Sequence, residues 1–146
     1  MIRAAEPGDL QALVAAYDWL FAPPGSTPPQ WDAERAARRL SEAMASGASE
    51  VLVADVDDAV VGICTVYLDI ESVRFGRRAW VEDLAVHPAH RSAGHGKTLL
   101  DAAKDWARER GAAHLELDSG EARADAHRFY ERERPSWRSI NFGWEL

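Results

Sequence analysis

The feature that most constrains this chain is a change of hydrophobic period across a pair of glycines. Trp80 to Val86 (WVEDLAV) reads as a β-strand, and Pro88 ends it. Gly94 to Arg110 reads as a helix, with Leu99, Ala103 and Trp106 on one face and Gly111 as its stop. The junction carries Arg91, Gly94 and Gly96. Glycines let the backbone turn tightly with its N–H groups exposed. The helix behind them adds unpaired donors and the positive end of its dipole. Together these form an anion cradle suited to phosphate or pyrophosphate. Arg91 and Lys97 place charges at its rim. A Walker A loop would need glycine where Arg91 stands, and a dinucleotide fingerprint would need glycine where Leu99 stands. A plain strand-to-helix turn accounts for the same glycines without any ligand.

The flanking segments place this unit in one α/β (α+β) domain spanning residues 1–146. Ile2 to Ala4 is a short strand, and Asp9 is placed to cap a helix carrying Leu10, Leu13, Val14 and Tyr17. Phe21 to Gln30 holds four prolines and is a loop. A second helix starts at Trp31-Asp32 and stops near Gly47. Val51 to Ala54 and Val60 to Leu68 form a hairpin about Asp57-Asp58. Ser72 to Arg78 reads as a polar, basic connection. His114 to Leu117 is a strand, Glu121 to Arg132 a helix, and Ile140 to Leu146 a terminal strand. The order is β-α-α-β-β-β-α-β-α-β.

Composition narrows the function. Hydrophobic residues are 47% and charged residues 28% of the 146, ordinary for a packed domain. The single cysteine, Cys64, excludes an intrachain disulfide and a multi-cysteine metal site. No apolar run approaches the ~20 residues of a membrane helix, and MIRAAEPGDL lacks the apolar core of a signal peptide. The expectation is a cytoplasmic protein with no membrane partner. Residues 1–73 carry 4 basic and 12 acidic side chains, net −8; residues 74–146 carry 13 and 12, net +1. A net acidic chain is a poor nucleic-acid binder. An anion site belongs in the second half, and the acidic first half suits a cation.

Leu84–Pro88 (LAVHP) followed by Arg91-x-x-Gly94-x-Gly96 resembles motif A of the GNAT superfamily of acetyl-CoA-dependent N-acetyltransferases. Asp125 to Arg132 (DAHRFYER) is similar to that family's AxxxYE(R/K) helix, and the element order agrees. The resemblance spans nearly the whole chain and is strongest over 80–132. Within the superfamily, DAHRFY and the terminal segment look closest to small-molecule amine acetyltransferases.

The resemblance implies a mixed central sheet with splayed fourth and fifth strands and helices on both faces. It implies acetyl-CoA as co-substrate, a small-molecule amine as acceptor and a homodimer. Leu84, Ala85 and Val86 would hold the pantetheine arm. Arg91, Ser92, Ala93, Gly94, His95 and Gly96 would hold the pyrophosphate, with Lys97 and Thr98 opening the helix. The acceptor amine attacks the thioester directly, so a base and an acid are needed. Tyr130 is the candidate acid. Glu82, Asp83 and Asp118 compete as base. Strand periodicity sets Glu82 and Asp83 on opposite faces unless a bulge intervenes. A protein acetyltransferase and a non-catalytic acyl-CoA sensor are the rival readings.

Two departures from the family pattern stand out. Arg134-Pro135 replaces the usual Gly-Phe/Tyr, and Arg123 stands where asparagine is frequent, so that it could reach a phosphate instead. No metal site is expected: His87, His90 and His95 read as surface histidines. Cys64 reads as buried packing, and His127 as a packed or exposed neighbour of Tyr130. Arg74, Arg77 and Arg78 would suit a phosphorylated acceptor, whereas Glu82 and Asp83 would suit a polycation.

Overall fold

The computed structural model describes residues 1–146 as one five-stranded sheet flanked by four helices. The strands are β1 (Ile2–Ala4), β2 (Ser49–Val56), β3 (Ala59–Ser72), β4 (Gly76–Val86) and β5 (His114–Glu116). The helices are α1 (Leu10–Phe21), α2 (Ala33–Ala45), α3 (His95–Glu109) and α4 (Ala124–Arg132). The spatial order β1-β2-β3-β4-β5 follows the sequence; the first four strands are antiparallel and β4–β5 is parallel.

Local chemistry explains most boundaries. Asp57 and Asp58 both take positive φ (51° and 64°), the backbone of a two-residue hairpin turn that aspartate tolerates better than most residues. Asp32 accepts the Arg35 N–H at 3.0 Å and caps α2. Asp9 does not cap α1. Its carboxylate accepts the Glu6 N–H at 2.7 Å and pairs with Arg3, closing the 3-10 turn before the helix.

Two apolar layers sandwich the sheet. On one face Leu13 and Ala16 of α1 and Leu40 and Ala43 of α2 pack on Val51, Val53, Ile63 and Ala85. On the other, Leu99, Ala103, Trp106 and Ala107 of α3 cover Leu52, Ala54, Cys64, Val66, Ala79 and Val81. A Cβ on Gly62 would meet Leu99 Cδ1 at 2.9 Å, so glycine there lets α3 lie close to β3. Cys64 is fully buried, as its β-branched surroundings imply.

Three expectations are corrected. Ser72 to Arg78 is not a connection: β3 and β4 run on until Ser72 pairs with Gly76, and Arg77 and Arg78 are strand residues. Ile140 to Leu146 forms no strand, because no backbone partner lies beside it. The strand and helix before that segment are shorter than predicted, with β5 ending at Glu116 and α4 beginning at Ala124.

β4 and β5 pair only at Arg78–Trp80 against His114–Glu116. β4 then continues to Val86 paired with β3 but with no partner on its β5 side.

Candidate active site

The site begins with one extra residue in β4. The β3–β4 register passes from Thr65–Asp83 to Val66–Val81 and leaves Glu82 without a partner. This β-bulge reverses the side-chain alternation. Ala79 and Val81 therefore face α3, whereas Ala85 faces α1 and α2. The bulge is the condition under which Glu82 and Asp83 can share a side. Burial raises the titration of Tyr17 and Tyr67, and the charges of Asp83 and Glu82 both add to the rise; the two tyrosines pack on the α1 side.

The two carboxylates are held differently. Glu82 is exposed and accepts the Trp80 indole N–H at 2.7 Å. Asp83 is enclosed. Its Oδ2 accepts the Tyr17 hydroxyl at 2.7 Å and the Thr65 hydroxyl at 3.0 Å. Thr65 Oγ1 in turn accepts the Asp83 N–H at 3.1 Å. Asp83 Oδ1 makes no hydrogen bond within the chain. Burial pushes the Asp83 carboxyl above the usual carboxylate range, and the two hydroxyls partly offset this by favouring the anion. Tyr17 packs against Trp31 at 5.3 Å and Phe21 at 6.1 Å between ring centroids, so an aromatic wall lines the approach.

Tyr130 lies on α4 and is half-buried. Burial pushes its phenol up to about 12; the neighbouring Cys64 adds to the rise and the Arg123 charge opposes it. Such a phenol stays protonated at neutral pH. It also lines a cavity of about 990 Å³ between α3, β5, α4 and the chain after Arg132, together with His127 and Asp118. Asp118 accepts the Asn141 side-chain amide at 2.8 Å.

The cradle has the expected backbone. Gly94 sits at φ +88° with nothing within 4 Å of a would-be Cβ, and Ser92 is also left-handed at 63°. Thr98 is the first α3 residue whose N–H bonds helically, to the Gly94 carbonyl, so the His95, Gly96 and Lys97 N–H groups are free of the helix. Arg91 folds back to donate to the Val86 carbonyl at 3.2 Å. Lys97 is drawn to Asp101 at 2.7 Å and Glu133 at 3.5 Å, which tempers its charge at the rim. Arg123 donates to the Leu20 carbonyl at 2.9 Å and straps α1 to the start of α4.

The acetyltransferase (GNAT) family profile matches residues 12–134. The chain belongs to the GNAT acetyltransferase family. An uncharacterized N-acetyltransferase of Bacillus subtilis strain 168, YhdJ, is 39% identical over 99 residues, 68% of this chain and 69% of that protein. Streptothricin acetyltransferase from Streptomyces lavendulae is 43% identical over 58 residues, 40% of this chain and 31% of that protein. Among solved structures, the aminoglycoside N-acetyltransferase AAC(6')-Iy in complex with CoA matches with a TM-score of 0.86 at 14% identity, over 100% of this chain and 93% of that one. At that identity the likeness is one of fold.

As a GNAT N-acetyltransferase, the protein uses acetyl-CoA as co-substrate. Its residues fit that group in three respects. Free N–H groups open α3, the Gly94 turn is unobstructed, and β4 has an unpaired edge beyond Trp80. His87, His90 and His95 stack in series with Trp19, and His87 Nδ1 accepts the Ala89 N–H; no group of three or more potential metal ligands comes together. Sequence reasoning missed Tyr17 and Thr65. Tyr17 sits at helical spacing among apolar residues and Thr65 within a β-branched run, so each looked like core. No helix is long and apolar enough to cross a membrane.

Proposed function

We propose that this enzyme acetylates a primary amine of a small, polycationic molecule by direct attack on the thioester, in the cytoplasm and as a homodimer. Acetyl-CoA supplies an activated acyl group and a thiolate leaving group. The cradle from Arg91 to Thr98 binds its pyrophosphate through backbone N–H groups, and Leu84, Ala85 and Val86 offer their backbone to its arm. Arg123 acts as a strap that sets α4 rather than as a phosphate ligand.

The base is Asp83. Tyr17 and Thr65 occupy its Oδ2 and leave Oδ1 to take the proton of the acceptor ammonium. Its raised pKa brings it closer to the working range of a base at neutral pH. Glu82 lies on the same side and holds the cation in place. Tyr130 delivers the proton to the departing thiolate.

The bulge at Glu82 carries this reading, because it allows two carboxylates to share one side of β4, and both charges act on Tyr17 and Tyr67. The basic residues that could favour a phosphorylated acceptor are engaged elsewhere. Arg77 pairs with Glu71 at 2.5 Å, Arg78 binds Asp69 through two nitrogens, and Arg74 lies over the Phe75 ring. The likeness to aminoglycoside and streptothricin acetyltransferases points the same way. The test compares kcat/KM for an aminoglycoside and an aminoalkylphosphonate by thiol release, in low and moderate salt. The polycation is expected to win, by a margin that narrows with salt. A preference for the phosphonate, lost when Arg74, Arg77 and Arg78 are replaced together, would overturn the assignment.

A further inference from the structure

One polar atom beside the Tyr130 cavity has no partner. The Ser119 hydroxyl oxygen is buried and makes no hydrogen bond, and the residue lines the same cavity of about 990 Å³ as Tyr130. Buried polar groups are nearly always paired, and each exception asks for a reason. Turn chemistry does not supply one. A serine before a helix ordinarily caps it, but α4 starts at Ala124 with Arg123 in the cap position and no side-chain cap. The Gly120 carbonyl, not the serine, accepts the Arg123 N–H.

The sheet sets where Ser119 stands. β5 pairs with β4 in parallel up to Trp80–Glu116, and the ladder ends there. Counted on from that pair, Ser119 is level with Asp83, or with Leu84 once the extra residue at Glu82 is allowed for. It therefore lies across from the stretch of β4 whose edge is free. Leu115 and Leu117 pack on the α3 layer, and alternation carries Ser119 to the same side. Tyr130 is on that side too, since Cys64 of the α3 layer acts on its phenol. Asp83 instead reaches towards α1, through Tyr17. The base and the two hydroxyls thus approach the free edge from opposite sides of the sheet.

Tyr130 by itself is a weak donor to a departing thiolate. Burial pushes its phenol up to about 12, and none of the influences on it is a hydrogen bond. An alkyl thiol titrates near about 8.5, so moving the phenol proton to a free thiolate is uphill by roughly three orders of magnitude. Sulfur then carries its charge before that proton moves, and a charge in a partly buried cavity needs donors aimed at it.

We propose that Ser119 is a second catalytic donor, whose hydroxyl hydrogen-bonds the sulfur of acetyl-CoA as the C–S bond breaks, beside Tyr130. The acceptor nitrogen bonds the acetyl carbon, its proton goes to Asp83, and the electron pair of the C–S bond passes to sulfur. Ser119 keeps its own proton and stabilises that charge. The proton that ends on sulfur comes from Tyr130, and the phenolate takes one back from water. In the free enzyme the serine is unpaired because its partner arrives with the co-substrate.

The proposal rests on direct attack with Tyr130 as the acid, and the experiment reads Ser119 without any acceptor. CoA is bound at saturation, and its thiol is titrated by the ultraviolet absorbance of the thiolate, as the difference between the complex and the free enzyme. Cys64, pushed up to about 12 by burial, stays a thiol through the range. A hydrogen bond to a charged group is strong enough to move such a midpoint by about one pH unit. Ser119→Ala is therefore expected to raise the midpoint of the bound thiol by about one pH unit. It is also expected to lower kcat about 10–100-fold, with the Kd of acetyl-CoA nearly unchanged. The melting temperature of free Ser119→Ala is expected to stay level or rise, because an unpaired buried hydroxyl has been removed. Ser119→Thr keeps the hydroxyl and is expected to keep the wild-type midpoint. A bound thiol that titrates alike in wild type and Ser119→Ala, with affinity intact, would overturn the proposal. So would a lower melting temperature with matching losses of affinity and rate, the mark of a structural serine. If Ser119→Ala moves the midpoint while Tyr130→Phe leaves kcat unchanged, the serine keeps its role and the reading of Tyr130 as the acid fails.

Discussion

Replacing Tyr17 by phenylalanine removes one hydroxyl and leaves the ring in its stack with Trp31 and Phe21. The lost bond is 2.7 Å long and joins a neutral donor to a carboxylate. Hydrogen bonds to charged groups contribute about 1.5–3 kcal/mol, and one pKa unit corresponds to about 1.36 kcal/mol. The bond favours ionised Asp83, so its loss raises the Asp83 pKa by about 1–2 units above a value that burial has already raised. If ionised Asp83 takes the proton, the acid limb of kcat/KM moves to higher pH by that amount. The plateau above the limb changes little, because the carboxylate is still present once ionised. The assay is thiol release from acetyl-CoA from pH 5 to 9 at subsaturating amine, with melting temperature measured alongside. Thr65→Val removes the second donor and is expected to shift the limb in the same direction. A limb that stays in place in both variants, with the fold intact, would refute Asp83 as the titrating base.

Tyr130→Phe keeps the ring and removes the proton. It is expected to lower kcat by roughly 10²–10⁴-fold with acetyl-CoA affinity unchanged, measured by steady-state kinetics and titration. Gly96→Glu places a carboxylate among the free N–H groups of α3. Acetyl-CoA at 100 times its Kd stabilises the wild type by about 2.7 kcal/mol, and the variant is expected to lose that thermal shift. Arg3 binds Asp9 and Asp55 together, and its charge holds the Asp9 carboxyl below the usual range. Arg3→Met is expected to destabilise the fold by about 1–2 kcal/mol at pH 7, measured by denaturant unfolding. A depressed carboxylate contributes its stability above its unfolded pKa and loses it as pH falls through the folded value. The difference between Arg3→Met and wild type therefore shrinks below about pH 4.

What was legible in the sequence followed from local rules. The Asp32 cap, the Asp57-Asp58 turn and the Gly94 junction depend on residues a few positions apart, and each formed where its chemistry required. What was not legible depends on distant partners. The Tyr17–Asp83 bond spans 66 positions, and a tyrosine on an apolar helix face carries no mark of it. The bulge at Glu82 follows from how β3 and β4 align, which neither strand encodes alone. Ser72 to Arg78 looked like a loop by polarity, yet cross-strand pairing carried both strands on to Ser72 and Gly76. Asp9 had the chemistry of a cap but found Arg3 and the Glu6 N–H instead.

The short β4–β5 pairing has a consequence for how the molecule opens. β5 and α4 join the rest of the sheet through three residues of each strand, while β2 and β3 are paired along their whole shared length. Native proteins open in units whose free energies follow such differences. The amides of β5 and α4 should then exchange with solvent through a local opening that spares β2 and β3. A ligand touching both α3 and the free edge of β4 would not close this unit by itself. One that also reaches Tyr130 would slow its exchange selectively, so deuterium uptake in α4 would report a filled site where uptake in β2 would not.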